Sequence, residues 1–231
     1  MIKVVFLDVD NTLLSFSGYV QQTMAEGFRK FGLKPYTEDM FPVFEKINNA
    51  LWQQIERGEI TFAELQQIRW NRVFAALGID FDGVLFEEYF RQQLFCSAVP
   101  EDGAYLLLEY LQGKYTLCVA SNGPYEQQMN RLNIGKMAGY FDYFFISEKL
   151  GCQKPSRGFF DRCFEELRAG GFPDLQPEET LIIGDSMSSD MAGGIEYGIH
   201  TVLYSKKPVG TEAASRVERV ISDLRQVRDF L

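Results

Sequence analysis

MIKVVFLDVDNTLL, residues 1–14, opens with a nearly unbroken apolar run over residues 2–7. That run is rich in β-branched side chains and has the length of a strand buried on both faces. It ends in Asp8, Val9 and Asp10, followed by Asn11 and Thr12. Side chains alternate along a strand, so extended backbone puts Asp8 and Asp10 on one side. Two carboxylates placed there repel, and burying them unpaired costs several kcal/mol. A divalent cation relieves that repulsion, leaving one carboxylate to act as a nucleophile and the other to handle protons. Solvated acids in a turn are the plain alternative, and the remainder of the chain has to decide between them.

The 231 residues give room for one large domain, or for a core with a smaller insertion. Apolar residues make up 46% and charged residues 24%, enough for a real core in an ordinary globular composition. A net charge of −9 argues against a nucleic acid polymer or an anionic membrane surface as partner. It leaves room for a small anionic substrate, because a metal and backbone amides set the field at a site. Cys96, Cys118, Cys152 and Cys163 have no CxxC spacing and are expected as reduced thiols rather than a disulfide frame or a zinc site. The chain shows no secretory leader pattern and no continuous apolar run of ~18–20 residues. The expectation is a soluble cytoplasmic protein, a monomer or small homo-oligomer.

After Leu14 the strand pattern gives way to some eighty residues of helical pattern. Helices are expected over residues 19–31, 38–57, 61–77 and 84–95, with Gly32, Gly58 and Gly78 closing the first three. Thr61-Phe62-Ala63-Glu64 reads as a capping box, in which Thr61 and Glu64 satisfy the first free amides. The aromatics of this region, among them Trp52, Trp70, Phe74, Phe86 and Phe90, are expected to form the core of a small bundle. Phe16 and Tyr19 are candidates for stacking on a base, with packing into that core the equal alternative. From Val99 onward helix and strand alternate, with strands over residues 115–120, 143–146, 180–183 and 200–204. Helices are expected over 101–112, 125–132, 158–169, 189–196 and 222–231. Repeated βα units imply a parallel sheet covered on both faces. The fold class is therefore α/β: a Rossmann-like parallel-sheet core formed by residues 1–14 and 99–231, with a four-helix insertion over residues 15–98.

Ligands of open parallel sheets bind at the carboxyl ends of the strands. The first strand ends in Asp8-Val9-Asp10-Asn11-Thr12, the second in Ser121-Asn122-Gly123, and another in Gly184-Asp185-Ser186 with Asp190 five residues after Asp185. A loop before a helix carries Lys154-Pro155. In this order the four segments resemble the haloacid dehalogenase-like hydrolase superfamily, and the helical insertion resembles that superfamily's cap. The resemblance implies Asp8 as nucleophile, Asp10 as general acid and base, and Ser121 and Lys154 as phosphoryl ligands, with Asn122 and Thr12 beside them. It implies Mg²⁺ on Asp8, Asp185 and the Asp10 main-chain carbonyl, with Asp190 supporting the metal site. His200, Cys152 and the Gly193-Gly194 pair are read as structural.

The chemistry asks for these residue types in its own right. A carboxylate that accepts a phosphoryl group forms an acyl phosphate that water can cleave, splitting one hard step into two. Lysine and serine donors neutralise and hold the phosphoryl oxygens. A second acid on the nucleophile's loop moves the protons. Asp10 and Asp185 favour phosphoryl transfer over metal-free dehalogenation. The expected function is Mg²⁺-dependent hydrolysis of a small phosphorylated metabolite, a nucleoside monophosphate being the narrower candidate. A sugar-phosphate mutase and a non-catalytic binding protein are the alternatives.

Overall fold

Val4–Leu7 forms strand β1, and all four residues are fully buried. The computed structural model describes all 231 residues, and β1 lies inside a six-stranded sheet rather than at its edge. Thr116–Ser121 (β2), Tyr143–Ile146 (β3), Thr180–Gly184 (β4), His200–Tyr204 (β5) and Arg219–Ile221 (β6) complete it in the order β3-β2-β1-β4-β5-β6. Every neighbouring pair is parallel.

Alternation along β1 sends its side chains into two cores. Val5 and Leu7 join Leu117, Val119, Leu181 and Ile183 on one face, under Leu107, Leu108 and Leu111. Val4 and Phe6 join Cys118, Ala120 and Ile182 on the other, under Phe159, Phe160, Phe164 and Leu167. Full burial of each such side chain contributes about 1.5–3 kcal/mol, which explains why this strand reads as unbroken apolar sequence.

The chain divides into two compact units, Met1–Ser15 with Ala98–Leu231, and Phe16–Ser97. The second unit holds helices α1 (Phe16–Lys30), α2 (Met40–Glu56), α3 (Phe62–Leu77) and α4 (Gly83–Phe95). Both halves of the expected capping box are made: the Thr61 amide donates to Glu64 at 2.7 Å, and the Glu64 amide to Thr61 Oγ1 at 3.2 Å. The unit's centre is aromatic, with Trp70 and Phe86 ring centroids 4.4 Å apart. Tyr19 belongs to this core and not to a binding surface, since its ring is buried and its hydroxyl donates to the Phe90 carbonyl. Phe16 packs on Phe44 and Phe90. Arg69 and Glu87 are also buried here, joined at 2.5 and 3.0 Å, with Asn48 accepting a further Arg69 hydrogen bond at 3.1 Å.

The first unit carries α5 (Ala104–Leu111), α6 (Tyr125–Ile134), α7 (Ser147–Leu150), α8 (Arg157–Ala169), α9 (Ala192–Tyr197) and α10 (Thr211–Ala214). Two expectations are corrected. Residues 222–231 do not form an α-helix: a short strand, β6, precedes them, and only a 3₁₀ segment, Leu224–Asp229, follows. Leu224 and Val227 mimic helical spacing, yet both simply turn into the core beside α5. The expected helix over 189–196 begins instead with a wide turn, Met187–Met191, in which the Met191 amide reaches the Ser186 carbonyl five residues back. Gly193 and Gly194 allow close packing: an added Cβ would lie 2.6 Å from the Phe160 ring or 2.8 Å from Ile182. No helix is long and apolar enough to cross a membrane.

Candidate active site

The ends of β1, β2 and β4 supply the site because parallel pairing brings their carboxyl termini to one edge, and hydrogen-bonding register places Leu7 beside Val119 and Ile183. Asp8 follows β1 directly and donates its amide to the Ile183 carbonyl at 3.0 Å. The chain then turns tightly: Asn11 adopts a positive φ of 57°, a conformation Asn tolerates better than most residues, and its amide donates to the Leu14 carbonyl at 2.7 Å.

Lys154 joins the β1 and β4 ends. Only 1% exposed, its ammonium donates to Asp8 Oδ1 at 2.9 Å, Asp190 Oδ1 at 2.5 Å and the Ala120 carbonyl at 2.5 Å. An ammonium has three protons, and all three are engaged. Any further acceptor approaching the Lys154 ammonium must therefore take the place of one of these partners. Burial alone would press Lys154 toward neutrality, but Asp190 and Asp8 reverse that and hold it above its usual range.

Asp190 is pinned at its other oxygen by the Ser186 amide at 3.0 Å. Gly184 is what lets it sit there, since a Cβ at that position would fall 2.2 Å from Asp190 Oδ2. One oxygen from each of Asp8, Asp185 and Asp190 lies within 4.8 Å of the others. Burial pushes the Asp8 carboxyl up to about 7 despite the opposing Lys154 charge, with Asp190 and Asp10 adding to the rise. Asp185 is half-buried, yet desolvation and the charges of Asp8 and Asp190 push it well above the usual carboxylate range. Three hard oxygen donors, crowded and short of positive charge, fit a small divalent cation such as Mg²⁺. Asp190 is thus as close to this cluster as the two acids expected to hold the ion.

Two residues that the motifs do not single out complete the site. Gln128 and Arg131, three apart on one face of α6, are both 1% exposed. Arg131 Nη1 donates to Asp10 Oδ1 at 2.7 Å, and Gln128 Nε2 donates to Asp10 Oδ2 at 2.8 Å and to Ser121 Oγ at 2.8 Å. Asn122 makes a reciprocal pair with the Lys154 main chain, at 2.9 Å in both directions, so both ends of its amide are committed to that loop. Thr12 is fully buried and its hydroxyl has no hydrogen-bond partner. His200 lies apart from these contacts, paired with Glu218 at 2.7 Å.

A family model described as haloacid dehalogenase-like hydrolase matches residues 2–198. The chain belongs to that family. It is 32% identical to YfnB of Bacillus subtilis (strain 168) over 86% of this chain and 82% of YfnB. The crystal structure of YfnB bound to magnesium matches all of this chain and 98% of that one, with a TM-score of 0.86 and 30% identity. The pyrimidine 5′-nucleotidase PynA of Streptococcus pneumoniae is 31% identical, covering 88% of this chain and 84% of its own length. As a member of the family the protein is a hydrolase, and its acidic cluster stands where strand ends meet.

Proposed function

We propose that this hydrolase is a Mg²⁺-dependent phosphatase that cleaves a small phosphomonoester through an aspartyl-phosphate on Asp8. The observation that carries the reading is the convergence of Asp8, Asp185, Asp190 and the fully engaged Lys154 at one sheet edge. Nearby, Asp10 and Ser121 share the Gln128 amide. A pyrimidine nucleoside monophosphate is the proposed substrate class, because PynA and the Escherichia coli (strain K12) protein YjjG, 30% identical over 85% of this chain, are both pyrimidine 5′-nucleotidases.

The roles follow from position. Asp8 attacks phosphorus, the bond to the leaving oxygen breaks, and Asp10 gives that oxygen a proton. Asp10 then takes a proton from water as its oxygen attacks phosphorus, which releases inorganic phosphate and restores the Asp8 carboxylate. Ser121 donates a hydrogen bond from its hydroxyl to a phosphoryl oxygen. Lys154 exchanges one of its present partners for another phosphoryl oxygen while keeping the charge of its acids balanced. Mg²⁺ held by Asp8 and Asp185 would neutralise charge between nucleophile and phosphoryl group. Asp190 holds Lys154 and the Ser186 turn, and through them the shape of this edge.

Phosphate release from a panel of nucleoside monophosphates and sugar phosphates, with Mg²⁺ and with chelator, tests this reading. Chelator-sensitive release, greatest for pyrimidine nucleotides and lost in Asp8→Asn, is expected. Release that ignores both chelator and the substitution overturns it.

A further inference from the structure

Arg131 is a charged side chain buried to 1% beside a catalytic edge, a costly placement unless its contacts have a purpose. Its guanidinium can only donate, so the Gln128 oxygen must face it, and that contact measures 2.8 Å. The orientation of the Gln128 amide is thereby fixed with its nitrogen turned toward Asp10 and Ser121. That nitrogen carries two protons, and the two acceptors at 2.8 Å use both. Ser121 Oγ, accepting from Gln128, is left to point its own proton at a further acceptor. Asp10 is gripped at both oxygens from the buried side, while 31% of its side chain stays open.

We infer that Gln128 and Arg131 are positioning residues that lock the Asp10 carboxyl and the Ser121 hydroxyl into one fixed arrangement for proton transfer to the leaving group. This rests on the proposed role of Asp10 as proton donor. The bracket belongs to α6, which follows β2 directly, so one helix holds both the donor and the phosphoryl ligand. A carboxyl held at both oxygens has little freedom to swing away from the leaving oxygen, and misplacing a proton donor costs rate steeply.

Leaving-group dependence separates this role from a merely structural one. An alkyl phosphate needs a proton on its departing oxygen, whereas p-nitrophenolate leaves without one. Gln128→Leu and Arg131→Met in the full chain are therefore expected to lower kcat/KM, which covers the steps up to departure of the leaving group, for an alkyl phosphate relative to p-nitrophenyl phosphate by at least about fivefold. Circular dichroism and the Mg²⁺-induced rise in melting temperature check that each variant is folded and binds metal. Should Arg131→Met not fold, Gln128→Leu, which removes no charge, decides the matter. A ratio unchanged in Gln128→Leu but lowered in Asp10→Asn overturns the bracket alone. An unchanged ratio in Asp10→Asn overturns the proton role of Asp10, and the bracket's role with it.

Discussion

Replacing Lys154 by Met tests how the acidic edge is held. The substitution keeps an aliphatic stem and removes the one ammonium found 2.9 Å from Asp8 and 2.5 Å from Asp190, all three side chains being buried. Removing one partner of a buried ion pair costs about 3–5 kcal/mol, because the remaining charge is left uncompensated. For a chain of this size each kcal/mol lowers the melting temperature by about 2–4 °C, giving an expected drop of about 6–20 °C in chelator at pH 8. The drop is pH-dependent with a definite sign. Asp8 already titrates near 7 with Lys154 present, and loss of the cation moves it higher. A carboxyl raised in the folded state binds more protons there than when unfolded, so stability is lost as pH rises from about 4 through the folded value. The gap between variant and wild type should therefore be smaller near pH 5 than near pH 8, without vanishing because the Asp190 pairing is lost as well, and Mg²⁺ should narrow it at pH 8. Differential scanning calorimetry at the two pH values, with and without Mg²⁺, measures all three effects. A drop of equal size at pH 5 and pH 8, or one that Mg²⁺ leaves unchanged, refutes the reasoning.

Three further outcomes follow from the same contacts. Gly184→Ala puts a methyl 2.2 Å from Asp190 Oδ2, so the folded protein should lose about 1–3 kcal/mol in denaturant titrations, with phosphate release falling together with it. Because a proton competes for Asp8 near pH 7, the apparent Mg²⁺ affinity should weaken as pH falls from 8 to 6, and isothermal titration showing constant affinity over that range contradicts this. In the helical unit Arg69→Met strands Glu87 in the core and should cost about 3–5 kcal/mol, most of which Glu87→Leu should restore in the double variant as read by thermal melts.

The parallel sheet was legible because β1 and its neighbours are buried on both faces, so apolar runs mark them without ambiguity. The capping box at Thr61 was legible for a different reason: its chemistry is local, complete within four residues. β6 was not, being three residues long with two of them exposed, which leaves no apolar signature. The acids of the site stand in short motifs that the chain brings to strand ends, and those can be seen in the sequence. Gln128 and Arg131 escaped because they lie within a polar helix where solvated side chains are the ordinary reading. Only the packing of α6 against the Asp10 turn brings them inward, a long-range event spanning 118 and 121 residues. Asn122 was expected at the phosphate, and the fold shows its amide joined to the Lys154 backbone, a pairing that no local pattern announces.

The central claim is that Asp8 carries the phosphoryl group. Acid quenching of the enzyme during turnover, followed by peptide mass spectrometry, tests it most directly. The account predicts a phosphoryl adduct on the peptide containing Asp8 that is absent from Asp8→Asn. Undiminished turnover by Asp8→Asn, or an adduct on another residue, would contradict it.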